Sequence, residues 1–232
     1  MAAVILNEMI TDGIGLMEVE SDSGGIPGQF YMLKAWKADP LLSRPISIFD
    51  ADSGRLRFLY QVVGEGTRRF ASLRPGDELN LEGPFGNGFP KVAGSLALVG
   101  GGIGIAPLYY MAKTAGARPD VFLGFSKEPY LTEEFGKVSG KVKVDVGGTI
   151  LDSISFEDYD TVIVCGPHGM LKAVQKKQGV NGRRRHVYVS LENRMACAIG
   201  ACLVCSVRCK DGMKKACTDG PVFPVEEVVF HD

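Results

Sequence analysis

Over the first eighty residues, apolar and polar positions alternate in short runs rich in β-branched and aromatic side chains, and turn-forming residues separate the runs. Strands are predicted over 3–10, 15–19, 29–34, 44–49, 56–63 and 78–82, with turns at Asp22-Ser-Gly-Gly, Asp52-Ser-Gly and Arg74-Pro-Gly-Asp77. That is the pattern of an antiparallel barrel or sandwich. A Pro/Gly-rich stretch, residues 83–90, ends it, and past residues 91–94 the period changes. Strands over 95–99, 121–125, 142–146, 161–165 and 186–191 then alternate with helices over 105–114 and 169–177. Such alternation implies a parallel sheet with crossover helices. The predicted division is 1–92, 93–191 and 192–232.

Charge and length narrow the classes. The 232 residues carry a formal net charge of −1, so no global basic field invites nucleic acid or an anionic membrane. Arg183-Arg184-Arg185 reads as a solvated turn before a strand. The N-terminal stretch has no basic region and too short an apolar run for a signal peptide. The nearly uncharged run 96–112 is interrupted by four glycines and a proline, and falls short of the ~20 apolar residues of a membrane span. A soluble, cytoplasmic protein is expected, in a compartment where cysteines serve as metal ligands more often than as disulfides.

Five of the six cysteines fall between residues 197 and 217. Cys197-x4-Cys202-x2-Cys205 has the spacing by which one loop delivers three thiolates to a [2Fe–2S] cluster, with a fourth arriving from a later turn. Ala198, Gly200 and Ala201 let the backbone curl and aim N–H groups at the sulfurs. A structural zinc site usually takes two C-x2-C knuckles, and only Cys202 and Cys205 form one. Spacing leaves the fourth ligand open between Cys209 and Cys217.

Glycine clusters carry the remaining chemistry. Gly100-Gly-Gly102-Ile-Gly104-Ile-Ala-Pro107 follows a strand and opens a helix, where backbone N–H groups and the helix N-terminus favour a phosphate. The dinucleotide spacing G-x-G-x-x-G is not met, since Ile105 takes its last position, and tight strand–helix packing is the competing explanation. Arg44-Pro-Ile-Ser47 offers a cation and a hydroxyl on one strand, suited to a phosphate and a heterocycle edge, although a surface Arg and Ser beside an edge-strand proline is commonplace. Gly64-Glu-Gly66-Thr67 is a further glycine turn that could hold a pyrophosphate. No nucleophile or acid–base constellation is present, so no catalytic side chain is expected and cofactors would carry the reaction.

Taken in order, Arg-Pro-x-Ser, Gly-x-Gly-Thr, Gly-Pro-x-Gly-x-Gly-Phe, Gly-Gly-Gly-x-Gly-x-Ala-Pro, Cys-Gly-Pro and the terminal cysteines resemble the electron-transfer subunits of NAD-linked dihydroorotate dehydrogenases, within the ferredoxin-reductase superfamily. The resemblance covers essentially the whole chain. It implies a multi-domain β plus α/β fold: an FAD-binding barrel, a Rossmann-like NAD-binding domain and a small [2Fe–2S] module. Carried over by motif, Arg44, Pro45, Ile46 and Ser47 would contact the flavin and its phosphates, Leu59, Tyr60 and Gln61 its ribityl and ring, and Gly66 and Thr67 the pyrophosphate. Gly101, Gly102 and Gly104 would face NAD(H), with Cys165 near the nicotinamide and His168 either shaping that pocket or capping the next helix. Cys197, Cys202, Cys205 and Cys217 would hold the cluster, leaving Cys209 spare. The implied partner is a catalytic FMN-bearing dihydroorotate dehydrogenase subunit, in a heterotetramer of two of each chain, and the implied task is carrying electrons from it to NAD+ in pyrimidine biosynthesis. Small flavin and iron–sulfur subunits of NADH-dependent ferredoxin:NADP oxidoreductases or sulfide dehydrogenases are the alternative, and a zinc-stabilised adaptor is a third reading.

Overall fold

Strands β1 (Ala2–Thr11), β2 (Ile14–Glu20), β3 (Phe30–Lys34), β4 (Arg44–Asp52), β5 (Arg55–Gln61) and β6 (Glu78–Phe85) close into an antiparallel barrel of order β1-β2-β5-β4-β3-β6. This computed structural model describes residues 1–178 and 186–230, so the predicted turn at Arg183–Arg185 lies outside the described residues. Inward positions of the barrel strands supply Met17, Val19, Tyr31, Leu33, Ile48, Leu56, Phe58, Tyr60 and Leu79, all buried. Closure removes the free strand edges that an open sheet of this size would present.

A helix that the pattern did not predict, α1 (Glu65–Ser72), plugs the barrel. Its Phe70 is buried, packs edge-on against Tyr60 and lies against Trp36. Asn7 Nδ2 donates to the carbonyls of Phe70 (2.8 Å) and Leu73 (2.9 Å), satisfying the helix C-terminus, while Tyr60 OH donates to Asn7 Oδ1 (2.9 Å). Burial pushes the Tyr60 phenol up to about 12.

The second layer is a six-stranded sheet of order β14-β11-β10-β7-β8-β9, formed by β7 (Leu96–Gly101), β8 (Asp120–Phe125), β9 (Lys141–Val146), β10 (Thr161–Cys165), β11 (His186–Ser190) and β14 (Val222–Pro224). All neighbours are parallel except β14, which runs antiparallel to β11. The central strands β7 and β10 are buried throughout, as expected of strands covered on both faces. Helices α2 (Ala106–Thr114) and α4 (His168–Gln178) were foreseen; the seven-residue α3 (Thr132–Val138) was not. A hairpin, β12 (Ser206–Cys209) with β13 (Gly212–Lys215), completes the cysteine-rich segment.

Two cores tie these layers together. Leu59 and Phe49 of the barrel share one with Ile105, Leu108 and Tyr109, and the Phe49 and Tyr109 rings stack at 4.5 Å. Phe30 and Met32 of β3 share the other with Cys205, Cys217, Val187 and Phe223.

Candidate cofactor sites

The β4–β5 ladder begins only at Ile48 opposite Phe58. Before that point Arg44–Ser47 pair with β3 alone, while Leu59–Gln61 pair with β2 alone. The two stretches singled out for a flavin therefore face each other across a seam where the barrel wall parts. Backbone groups lining such a seam are open to an outside partner, and Pro45, which lacks an N–H, is tolerated in a strand that is unpaired on one side. Side chains divide between the two faces. Tyr60 points into the barrel interior and Ile46 packs on that same core, whereas Leu59 joins the core shared with Ile105 and Gln61 is exposed.

At one end of the seam α1 begins. Its first-turn N–H groups have no intrahelical acceptor, and Gly66 brings the helix against Arg44. A Cβ at Gly66 would lie 2.7 Å from Arg44 Nε and 2.8 Å from Trp36 Cη2, so only glycine lets these three groups meet. The Arg44 guanidinium sits 5.3 Å over the Trp36 ring. A helix N-terminus and a guanidinium converging on one point suit a pyrophosphate. Thr67 serves the turn itself: its hydroxyl accepts from the N–H of Val63 (2.9 Å) and Gly64 (3.1 Å) and donates to the Gly64 carbonyl (3.0 Å).

The second site lies at the carboxyl ends of β7 and β10, where the strand order reverses, the position at which open α/β sheets bind ligands. Gly102–Ile105 form a 3-10 turn leading into α2, and Gly102 takes φ +55° with open space beside it. Gly104 is pressed against the end of β10: a Cβ there would lie 2.6 Å from the Cys165 carbonyl oxygen. Gly101 faces Met170 and Pro167. Close packing thus explains Gly101 and Gly104 directly, and it brings the glycine turn against Cys165-Gly-Pro167. The Cys165 thiol is buried, bonded to Ser190 and pushed strongly up by burial, so it is a neutral group facing inward. His168 is exposed, with its ring edge-on to Phe230 at 5.1 Å.

Sequence reasoning missed two residues of this crevice. Glu192, just past β11, keeps solvent contact, and the protein packed around it raises its carboxyl by desolvation. Tyr130 is pushed up to about 12 by burial and then by Glu192. Neither belongs to a motif that spacing would flag. A cavity of about 910 Å³, lined by Lys91, Ser95, Tyr159, Asp160 and His186, lies at the opposite ends of the same strands.

In the third site the thiols stand as two pairs. Cys205 Sγ lies 3.2 Å from Cys217 Sγ, and the Cys202 N–H donates to Cys197 Sγ at 3.4 Å. Hydrogen bonds from the Cys202 thiol, then from the N–H groups of Cys202, Ile199 and Ala201, lower Cys197 to about 6. Burial, then Cys205, pushes Cys217 up to about 11, while the Gly200 N–H works against that rise. Ala198 (φ +57°), Gly200 (φ +77°) and Leu203 (φ +58°) interleave left-handed residues into the loop, and such alternation turns successive N–H groups to one side. Ala198 and Leu203, held there without being glycine, each cost energy that the surrounding loop must offset. Among the described residues no three His, Cys, Asp or Glu side chains converge on a single ion. A [2Fe–2S] cluster asks for something else, two thiolates on each of two irons with N–H groups on the sulfurs. The two pairs and their N–H groups fit that demand. Cys209 lies apart, buried on β12 and bridged to Val228.

Comparisons with known proteins bear on the family and the fold. The family model for the iron–sulfur cluster binding domain of dihydroorotate dehydrogenase B matches residues 192–229. The chain is similar to the dihydroorotate dehydrogenase B (NAD(+)) electron transfer subunits of Clostridium acetobutylicum, at 40% identity over 97% of this chain and 95% of the relative, and of Clostridium perfringens, at 38% with the same coverage. A solved NADH-dependent reduced ferredoxin-NADP oxidoreductase, described for flavin-based electron bifurcation, superposes with a TM-score of 0.88 at 29% identity, covering 99% of this chain and 90% of its own.

Proposed function

The chain belongs to the family of dihydroorotate dehydrogenase B electron transfer subunits, and from that we propose how its three sites divide the work. It is an oxidoreductase subunit of pyrimidine biosynthesis that uses FAD, a [2Fe–2S] cluster and NAD(H), and it serves a catalytic dihydroorotate dehydrogenase subunit that oxidises the substrate. Bound flavin supplies the junction between two-electron exchange with NAD(H) and one-electron exchange with the cluster. The likeness to the ferredoxin-NADP oxidoreductase, at 29% against 40%, offers no better reading.

We assign the seam between Arg44–Ser47 and Leu59–Gln61 to the flavin, with Arg44 and the α1 turn at Gly66 holding its pyrophosphate. Gly101, Gly102, Gly104 and the Cys165–Pro167 backbone receive NAD(H), and Cys197, Cys202, Cys205 and Cys217 hold the cluster. One observation carries the assignment. The seam has the glycine turn on one side, through the core that Leu59 shares with Ile105, and the cysteine loop on the other, through the core that Phe30, the ladder partner of Ser47, shares with Cys205 and Cys217. Adjacent strands lie only ~4.8 Å apart. The order of the relay, dinucleotide to flavin to cluster, is thus supported by the packing.

The outer side of the cysteine loop is apolar. Ile199 is 66% exposed, Leu203 61% and Val204 54%, while Met195 and Ala198 are buried. Exposed apolar side chains grouped on one loop suit a protein contact, so this face docks the catalytic subunit and keeps water from between the redox centres. Two copies of each chain form the assembly, on the strength of family resemblance, and its place is the cytoplasm, whose reducing conditions keep the thiols available. No helix among the described residues is long and apolar enough to cross a membrane.

Charged variants test the docking face. Ile199→Glu and Leu203→Glu, made separately, are expected to leave NADH reduction of the bound FAD unchanged, and at least one is expected to abolish dihydroorotate-dependent NAD+ reduction by the complex. Co-purification with the partner at the parent level and parent activity in both variants would place docking elsewhere.

A further inference from the structure

Helix α2 and strand β4 lie side by side, and each carries a cofactor stretch at one end and an ion-pair partner at the other. On β4, Arg44–Ser47 line the seam and Asp50 follows three residues later, past a bulge. On α2, the turn Gly102–Ile105 opens the helix and Lys113 closes it. Lys113 Nζ lies 3.0 Å from both carboxylate oxygens of Asp50 and 2.9 Å from both of Asp52, and Arg57 bonds Asp50 from its other side. Asp50 is only 1% exposed while the Lys113 side chain is 30% exposed and that of Asp52 61%, so the pairing across the boundary between barrel and sheet has a buried carboxylate at its base and an open outer edge. A second tie joins the same two layers, Tyr110 OH donating to the Gly25 carbonyl at 3.1 Å.

The spacing sets the role. Three residues of strand separate Ser47 from Asp50, ~10 Å, and nine residues of helix separate Gly104 from Lys113, ~13 Å. These groups are too distant to touch the reacting atoms, yet they fix the two elements that carry them. Resting on the reading that the glycine turn and the seam exchange a hydride, we propose that Lys113 with Asp50, reinforced by Tyr110, is a clamp that sets how closely the nicotinamide approaches the flavin. Lys113, Asp50 and Tyr110 are therefore positioning residues. Because a misplacement of ~1 Å in a hydride path can cost about a hundredfold in rate, a loosened clamp shows in the transfer step before it shows in binding.

Lys113→Met keeps the aliphatic stem and leaves Asp50 its partner Arg57, so the fold has reason to survive. In the FAD- and cluster-loaded complex, stopped-flow reduction by NADH is expected to slow by about tenfold or more, with the NADH dissociation constant within about twofold of the parent. Lys113→Arg is expected to restore the rate. Amide hydrogen exchange, which needs no NADH, is expected to quicken in α2 and in β4 but not in β8 or β9. A Lys113→Met rate equal to the parent's, a loss explained wholly by weaker NADH binding, or a slowed rate with unaltered exchange in α2 would each overturn the clamp. Tyr110→Phe, expected to slow transfer severalfold, decides by the same criteria if Lys113→Met fails to retain FAD. A parent protein whose flavin NADH does not reduce would instead refute the functional reading, while the exchange measurement would still judge the clamp.

Discussion

Replacing Gly104 by alanine puts a methyl group where the protein has no room and no means of making any. The new Cβ would lie 2.6 Å from the Cys165 carbonyl oxygen and 2.7 Å from the Cys165 carbonyl carbon and Gly166 Cα. All three are backbone atoms at the end of β10, a strand held on both sides by β7 and β11. Carbon contacts are comfortable at ~3.5–4.0 Å, so β10 or the glycine turn must yield, and overpacking of this kind costs about 1–3 kcal/mol. The neighbouring glycines give an internal ranking. At Gly101 the near atom is Met170 Sδ, the flexible part of a side chain, and at Gly102 nothing clashes, leaving only the ~1 kcal/mol strain of an L-residue at φ +55°. Thermal unfolding of the loaded protein is expected to show Gly104→Ala lowered by roughly 2–10 °C, the largest loss of the three. NADH binding, followed by titration, is expected to weaken most in the same variant, because the displaced backbone at 165–167 borders the crevice, while FAD is retained. Parent-like melting and NADH affinity in Gly104→Ala, or a larger loss at Gly101, would refute the packing argument.

Three other expectations are checked as directly. Cys217→Ser is expected to remove the cluster, read as loss of the about two irons and two sulfides per chain, while Cys209→Ser retains it; the reverse pattern would exchange their roles. Arg44→Ala removes a charge-assisted phosphate contact worth about 1.5–3 kcal/mol, so FAD is expected to dissociate during gel filtration, and full retention would sink the placement. Stability is expected to fall between about pH 10 and about 12: the folded state holds the Tyr60 phenol protonated up to about 12, whereas an unfolded tyrosine ionises near ~10 and releases its proton first. Tyr60→Phe is expected to flatten that part of the profile in thermal melts taken against pH, and an unchanged slope would count against burial of the phenol as its cause.

Barrel and sheet were readable because period-2 alternation and continuous apolar strands are written locally, residue by residue. Helix α1 was not. It has only eight residues, with Gly64 before it and Gly66 in its first turn, and what holds it is distant in sequence: Phe70 in the barrel core and the Asn7 amide at its C-terminus. Spacing singled out Cys197, Cys202 and Cys205 as proposed ligands in the same local way but could not choose between Cys209 and Cys217 for the fourth. What favours Cys217 in our assignment is tertiary: the hairpin β12–β13 bridges Cys209 to Val228 and carries the chain back so that Cys217 meets Cys205. The glycines of residues 100–104 read as a ligand turn in the sequence, while the need for Gly104 comes from packing against the end of β10. Lys113 and Asp50 stand 63 positions apart, and no pattern in either neighbourhood announces the pair.

Strand β14 gives the cysteine-rich segment its own place in the six-stranded sheet, and Phe30 and Met32 draw that segment onto the barrel. A relay assembled this way would need no swinging arm. Carriers mounted on tethers must diffuse between donor and acceptor, and thicker solvent slows them; here the proposed stations would keep a spacing cast with the fold itself. Glycerol or crowding agents are therefore expected to leave traffic within the subunit untouched and to act only where NAD(H) enters and leaves.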